Sequence, residues 1–313
     1  MSGDSSTSLP VPVGLKRMAR TPDYRIRFED VTSLLRIVHS VVNVVERACF
    51  KIEKVQDIFF LKVDTQDVSN VCHISVRYRL EGFVDRNEDA SEPIRFSVNC
   101  KHFSANLMNI PSHHVVWLEG DTTTCIPKLI VRTKDVDNPS HETVTELDTY
   151  LDNDDEKTLT NMTYDMTLEL DLHVFRNLLK IASTANAETL VIRIVVEEAT
   201  KESNPMSFIK FSVHGDFKHS QIFAHEVIRG DDGSMIVRAA SDSEHAIVED
   251  TEVSPTYEAV FPLDKISGFV KLLQSRMLVA KIKKGTPIMF QHILGGSVSE
   301  GSHIKFLVAE KWE

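Results

Sequence analysis

The chain has 313 residues, with 35 Lys+Arg against 46 Asp+Glu, and a formal charge of −11 with His neutral. Hydrophobic residues at 42% and charged residues at 26% suffice to bury a core, which excludes wholesale disorder. Length suggests about two domains, no run of ~18 apolar residues is present to span a membrane, and the acidic total excludes a uniformly basic nucleic-acid coat, though not a protein whose cations gather on one face.

Residues 1–22 lack the apolar segment of a secretory signal. With Lys16, Arg17 and Arg20 they read as a flexible basic arm, either simply solvated or used for targeting or DNA contact. Tyr24–Phe28 alternates as a strand and leads into a predicted helix over 29–42, with apolar residues at 31, 34, 35, 38 and 42 and acids at its start. Strands are predicted at Ile58–Val63, Val71–Leu80 and Ile94–Val98. A second helix, Cys100–Ile110, stops at Pro111, and strands Val115–Leu118 and Ile126–Arg132 follow. The acidic, non-periodic stretch 138–163 reads as a connector between an N-terminal domain, 23–137, and a C-terminal domain, 164–313.

The second domain repeats the order. Strand Tyr164–Leu170 precedes helix Leu172–Thr184, and strands are predicted at Leu190–Glu197, Phe208–Val213, Gln221–Ile228 and Met235–Ala239. Strand Tyr257–Phe261 then feeds helix Leu263–Met277, and strands Val279–Lys283, Ile288–Leu294 and His303–Ala309 close the chain. Matching helices begin about 142 and about 163 residues apart, so the second half carries an insertion, placed at Gly230–Pro255.

Catalytic signatures are missing. There is no phosphate-binding Gly-Lys loop, no dinucleotide glycine fingerprint and no zincin His pair. Gly295–Gly301 sits between strands and does not make a nucleophile elbow. His214, His219 and His225 have generic spacing and read as solvated or core histidines rather than ligands. Cys49, Cys72, Cys100 and Cys125 form no zinc pattern and suit small buried thiols in a reducing compartment. The reading is therefore a non-enzyme with no catalytic residues, no metal and no cofactor.

Charge location is more informative. The four predicted helices hold Arg36, Lys101, Arg176, Lys180, Lys265, Lys271 and Arg276 against Glu29, Asp30, Asp171 and Asp264: seven cations less four acids, or +3, which leaves −14 elsewhere. The acids fall in first turns, where the helix dipole favours them. On the third helix His173, Arg176 and Lys180 lie opposite Phe175, Leu178, Leu179 and Ala182, so one face is apolar and the other cationic.

These residues resemble the eukaryotic-type DNA sliding clamp family, proliferating cell nuclear antigen, from about Tyr24 to Lys311. Four places carry the likeness: Val63-Asp64-Thr65-Gln66-Asp67-Val68-Ser69 with Leu80-Glu81-Gly82-Phe83; the acidic mid-chain segment; Phe208–Asp216; and Gly285–Ile288 with the tail His303–Lys311. The resemblance implies an α+β fold of two similar clamp domains per chain, each with antiparallel sheets outside and two helices inside, assembling as a homotrimeric ring. It implies a nuclear or viral-replication-site processivity factor with three kinds of partner: duplex DNA bound without sequence reading, a clamp loader, and peptides of DNA polymerase and other enzymes. No membrane partner is expected.

Backbone-facing residues would be Arg36, Lys101, Arg176, Lys180, Lys265 and Lys271. A partner-peptide pocket would be formed by Val63, Asp67, Val68, Leu159, Tyr164, Pro287, Leu307 and Ala309, where the carboxylates of Asp67 and Glu310 depart from the family pattern and would favour a more basic peptide. Ring closure would use strands near Lys128–Arg132 and His214–Phe223. The divergence fits a remote member, a viral one included. Other readings are a subunit of a heteromeric checkpoint-type clamp, a clamp-like viral transcription factor, or a β-rich scaffold that does not bind DNA.

Overall fold

The structure, a computed structural model, describes residues 22–80, 84–86, 93–121, 128–138, 140–150, 162–196, 208–229, 234–239, 255–271, 273, 276–294 and 302–311. The first half runs β1 (Tyr24–Phe28), α1 (Val31–Val42), β2 (Arg47–Val55), β3 (Ile58–Gln66), β4 (Cys72–Arg79), β5 (Val84–Arg86), β6 (Ile94–Asn99), α2 (Cys100–Met108), β7 (His114–Asp121), β8 (Lys128–Asp135) and β9 (Glu142–Tyr150). The second half repeats it with β10 (Met166–Asp171), α3 (Leu172–Thr184), β11 (Thr189–Val195), β12 (Phe208–His214), β13 (Lys218–Arg229), β14 (Met235–Ala239), β15 (Tyr257–Pro262), α4 (Leu263–Val270), β16 (Met277–Ile282), β17 (Ile288–Ile293) and β18 (His303–Val308).

The two halves also share their pairings. β2 lies between β3 and β6 as β11 lies between β12 and β15, and β1 pairs antiparallel with β7 as β10 does with β16. One difference stands out: β14 runs parallel to β10, whereas β5 runs antiparallel to β1. The halves join into one 18-stranded sheet because β18 pairs antiparallel with β4, from Cys72↔Val308 to Arg77↔His303.

In three of the four helices described, capping and periodicity agree; α4, which follows Pro262, has no side-chain cap. Asp30, Asn99 and Asp171 each cap a first turn, accepting from the N–H of Thr32 (2.9 Å), His102 (3.1 Å) and His173 (2.7 Å). The apolar stripes then pack on the sheet. Leu34, Ile37, Val38 and Val41 of α1 and Phe103 and Leu107 of α2 are buried, and Phe50 stacks on Phe96 at 5.3 Å. In the second half Phe175 meets Phe211 edge-on at 5.6 Å, and Phe269 stacks on Phe306 at 4.7 Å. Among the described residues no helix is long and apolar enough to cross a membrane.

Three expectations need correction. The fourth helix ends at Val270 rather than at Met277, which opens β16. The Arg176 guanidinium donates to the carbonyls of Val270 (3.4 Å) and Leu273, and so occupies acceptors that a further turn would use. Within the stretch read as a connector, Glu142–Tyr150 is strand β9, paired along β8; residues 151–161 lie outside the described ones. Lys128–Arg132 is no edge: as part of β8 it is hydrogen-bonded to β7 on one side and β9 on the other. The proposed insertion, Gly230–Pro255, falls between β13 and β15 and contains β14; its residues 230–233 and 240–254 lie outside the described ones.

Candidate nucleic-acid interface and partner surface

With the observed boundaries the helix charge becomes more one-sided. The four helices hold Arg36, Lys101, Arg176, Lys180 and Lys265 against Asp264 alone, five cations to one carboxylate, while Asp30 and Asp171 are spent as caps and Lys271 is the C-cap of α4. Lys101, Lys180 and Lys271 are exposed, and Arg36, Arg176 and Lys265 are half-buried.

Two depressions collect these cations. Arg36, His39, Arg176 and Lys271 line a cleft of about 490 Å³ with Thr32, Leu35 and Leu273, and among the described residues no acidic side chain lines it. It bridges the halves, because Arg36 and His39 belong to α1, Arg176 to α3 and Lys271 to the end of α4; burial lowers the His39 pKa and favours its neutral form. Burial first, and then Arg36, hold the imidazole of His292 in β17 below its ordinary pKa, which also places Arg36 against the second half. The second depression is a groove of about 800 Å³ between α3 and α4, lined by Arg176, Lys180, Lys271 and Lys311 with Glu188 and Asp264.

The remaining expected contacts lie elsewhere. Lys101 and Lys265 line neither depression. Lys265 instead pairs with Asp67 at 3.3 Å, so a cation expected at DNA meets a carboxylate expected at a peptide.

Asp67 is 6% exposed, too deep to greet a peptide. One carboxylate oxygen accepts the N–H of Val71 (2.8 Å) and of Cys72 (2.9 Å), and the other accepts the Ser69 hydroxyl at 2.5 Å. The Asp67 carbonyl accepts the Asn70 N–H at 3.0 Å, and Asn70 takes the left-handed φ of +56° that the turn requires. This carboxylate thus builds the β3–β4 turn, which corrects the expectation that it selects a basic peptide. Burial works to raise its pKa; the Ser69 hydroxyl, the Cys72 N–H and Lys265 outweigh burial and hold it below the ordinary carboxylate value.

Of the other pocket residues, Val63 and Leu307 belong to the core at 1% and 4% exposure, which leaves them unavailable as lining. Val68 is fully exposed at the tip of the same turn, and the Ala309 N–H donates to the Val71 carbonyl at 2.8 Å, so turn and C-terminal strand are brought side by side. Tyr164 and Pro287 are half-exposed, and burial raises the Tyr164 hydroxyl pKa. Leu159 lies outside the described residues. On Glu310 burial raises the carboxyl pKa.

The structure also gathers residues that the sequence reading did not. Among the described residues one group of three potential metal ligands lies close together, His113, His114 and Asp135. His214 and His219 are not partners across the β12–β13 ladder, and nothing is described of the His225 side chain.

Comparison with known proteins places this architecture. No family model matches the sequence, and no curated protein matches it either. Among solved structures, the chain is similar to the crystal structure of proliferating cellular nuclear antigen from Entamoeba histolytica. The TM-score is 0.67 at 15% identity, covering 93% of this chain and 100% of that one. At that identity the likeness concerns the fold: two α+β domains with few helices and large antiparallel sheets, the sliding-clamp fold.

Proposed function

We propose that this chain is a DNA sliding clamp: a ring-forming processivity factor that encircles duplex DNA in the nucleus, or at a replication site in an infected cell, and tethers polymerase and other enzymes by short peptides. It acts by binding, not by catalysis. The observation that carries this reading is the cleft lined by Arg36, Arg176 and Lys271, with no acidic side chain among the described residues that line it, set on the helices of a chain whose total charge is −11. Cations spaced along helix faces meet phosphates without reading bases, which suits a protein that must move along DNA. Alanine at Arg36 or Lys271 is expected to weaken DNA binding equally on all sequences. Each should lower the log–log salt slope by about 1, measured by fluorescence anisotropy at several salt concentrations.

The internal repeat supplies a route to the ring. Within one chain β18 pairs with β4. Their counterparts β9 and β13 have no such partner among the described residues: Glu142–Asp148 pairs on one side with β8, and Lys218–Gln221 on one side with β12. Superposing the ladders and buried faces of the halves puts Glu146 where Leu307 stands and Lys218 where His73 stands, and Leu307 pairs with His73. A neighbouring chain added in that register sets Glu146 opposite Lys218, Leu147 opposite Phe217 and Thr145 opposite His219.

The pairing joins opposite charges, covers Phe217, which is 46% exposed, and closes two sheet edges. It also covers the inward face of β13, where His219 Nε2 and Gln221 Oε1 are buried without hydrogen-bond partners among the described residues of one chain. Glu146→Lys and Lys218→Glu are each expected to weaken assembly several-fold, and the double swap to restore it, by light scattering across a dilution series. The decisive test joins light-scattering mass to retention on circular against linear DNA after loading. A mass of three chains with retention on circles alone is expected; a stable monomer without retention would sink the reading.

A further inference from the structure

A second site lies at the far end of the β7–β8 hairpin from the loop joining those strands, where α2 hands over to β7 and β8 turns into β9. His114 opens β7 and faces Asp135 directly across the antiparallel ladder, and His113 precedes it. One ligand atom from each of the three lies within 4.8 Å of the others. The His113 Nε2 stands 4.0 Å from the Asp135 carboxylate, and the two imidazoles meet at 73° with centroids 4.8 Å apart, so they present edges rather than stacking flat.

Asp135 is held in place by the turn. Its Oδ1 accepts the Asp137 N–H at 2.8 Å, and its own N–H donates to the His141 carbonyl at 3.3 Å. The neighbouring cation does not compete for it, because Lys134 pairs with Glu142 at 3.2 Å. His114 Nδ1 is buried and has no hydrogen-bond partner among the described residues. A buried ring nitrogen in that state loses solvation without compensation, unless something absent from the bare chain fills its lone pair.

We propose that His113, His114 and Asp135 bind a divalent transition metal of the zinc class, with a fourth position left for water or an incoming ligand. Two imidazoles and one carboxylate are a donor set that zinc accepts readily and that hard cations such as calcium and magnesium, which take oxygen ligands, do not. Metal–ligand bonds of ~2.0–2.2 Å in a tetrahedral site put ligand atoms roughly 3.4 Å apart. The present spread would have to close by rotation of His113, whose side chain is 56% exposed. The metal would tie the start of β7 to the β8–β9 turn.

The test uses the full chain, stripped with a chelator and titrated with Zn²⁺ by calorimetry and with Co²⁺ by visible absorption. One saturable site with a tetrahedral Co²⁺ spectrum is expected. His113→Ala and Asp135→Asn should each weaken binding at least about tenfold, the double variant His113→Ala/His114→Ala should abolish it, and His102→Ala on α2 should leave it unchanged. His113→Ala removes an exposed ring, so it keeps the test open if the double variant fails to fold. No saturable binding by the wild type, or unchanged affinity in both His113→Ala and Asp135→Asn, overturns the assignment.

Discussion

Glu119→Ala is expected to lower stability by about 3–5 kcal/mol in chemical denaturation, more than a typical point substitution. Glu119 sits in β7 at 2% exposure, and two guanidiniums converge on it. Arg25 of β1 donates through Nε at 2.7 Å, and Arg132 of β8 through Nε at 3.2 Å and Nη2 at 3.1 Å. Removing the carboxylate leaves both cations facing each other without their anion. Arg25 and Arg132 keep 40% and 28% exposure and can recover some hydration, which favours the lower end of the range. Glu119→Gln keeps the shape and one accepting oxygen but not the charge, and its NH2 cannot accept from a guanidinium, so it should fall between wild type and alanine. The effect reaches further than the strand, because Arg132 also binds Glu142, the first residue of β9. A destabilised Glu119 variant should therefore also assemble more weakly, since β9 is the edge that would meet the next chain.

How much of this could be read from residues alone depends on what signal each element leaves. α3 was legible to the residue because Asp171 caps it and Phe175, Leu178, Leu179 and Ala182 repeat at helical spacing. β2 is missing from the sequence reading although Ala48, Phe50 and Ile52 alternate inward; the valines on both sides of Asn43 (41, 42, 44 and 45) blur where α1 stops and the strand begins. β9 leaves no apolar alternation, because its inward residues Thr145 and Leu147 are only half-buried in one chain, so its acids made it resemble a connector. At the C-terminus of α4 the Val270 carbonyl accepts from Arg176, 94 residues away in sequence, and no local pattern reports that.

The candidate sites divide in the same way. The cationic helix faces follow from periodicity and were visible. That Arg176 is employed on carbonyls, that Lys265 turns to Asp67, and that His113 and His114 meet Asp135 all depend on long-range register, which composition does not encode.

Asp67→Ala should be the other large loss, about 3 kcal/mol, read by denaturation and by hydrogen exchange confined to the β3–β4 turn. The substitution strands two backbone N–H groups, a hydroxyl and the Lys265 ammonium at once. Asp67→Asn should lose less, since its carbonyl oxygen can still accept from Val71 and Cys72. The sign of the pH effect follows from the depressed pKa. A carboxylate whose pKa is lower folded than unfolded contributes stability that is fully present above the unfolded value, about 3.9, and is lost as pH falls through the folded one. The difference between wild type and Asp67→Asn should accordingly be constant from neutral pH to about 5 and shrink below about 4. Because Asp67 faces inward to Lys265, both variants should alter peptide affinity only as far as they loosen the turn that carries Val68. A Lys265→Met variant, which removes the charge but keeps the stem, separates these effects. It should weaken the turn without adding an exposed carboxylate, and if it instead strengthened the binding of basic peptides with stability unchanged, the inward-facing role of Asp67 would be wrong.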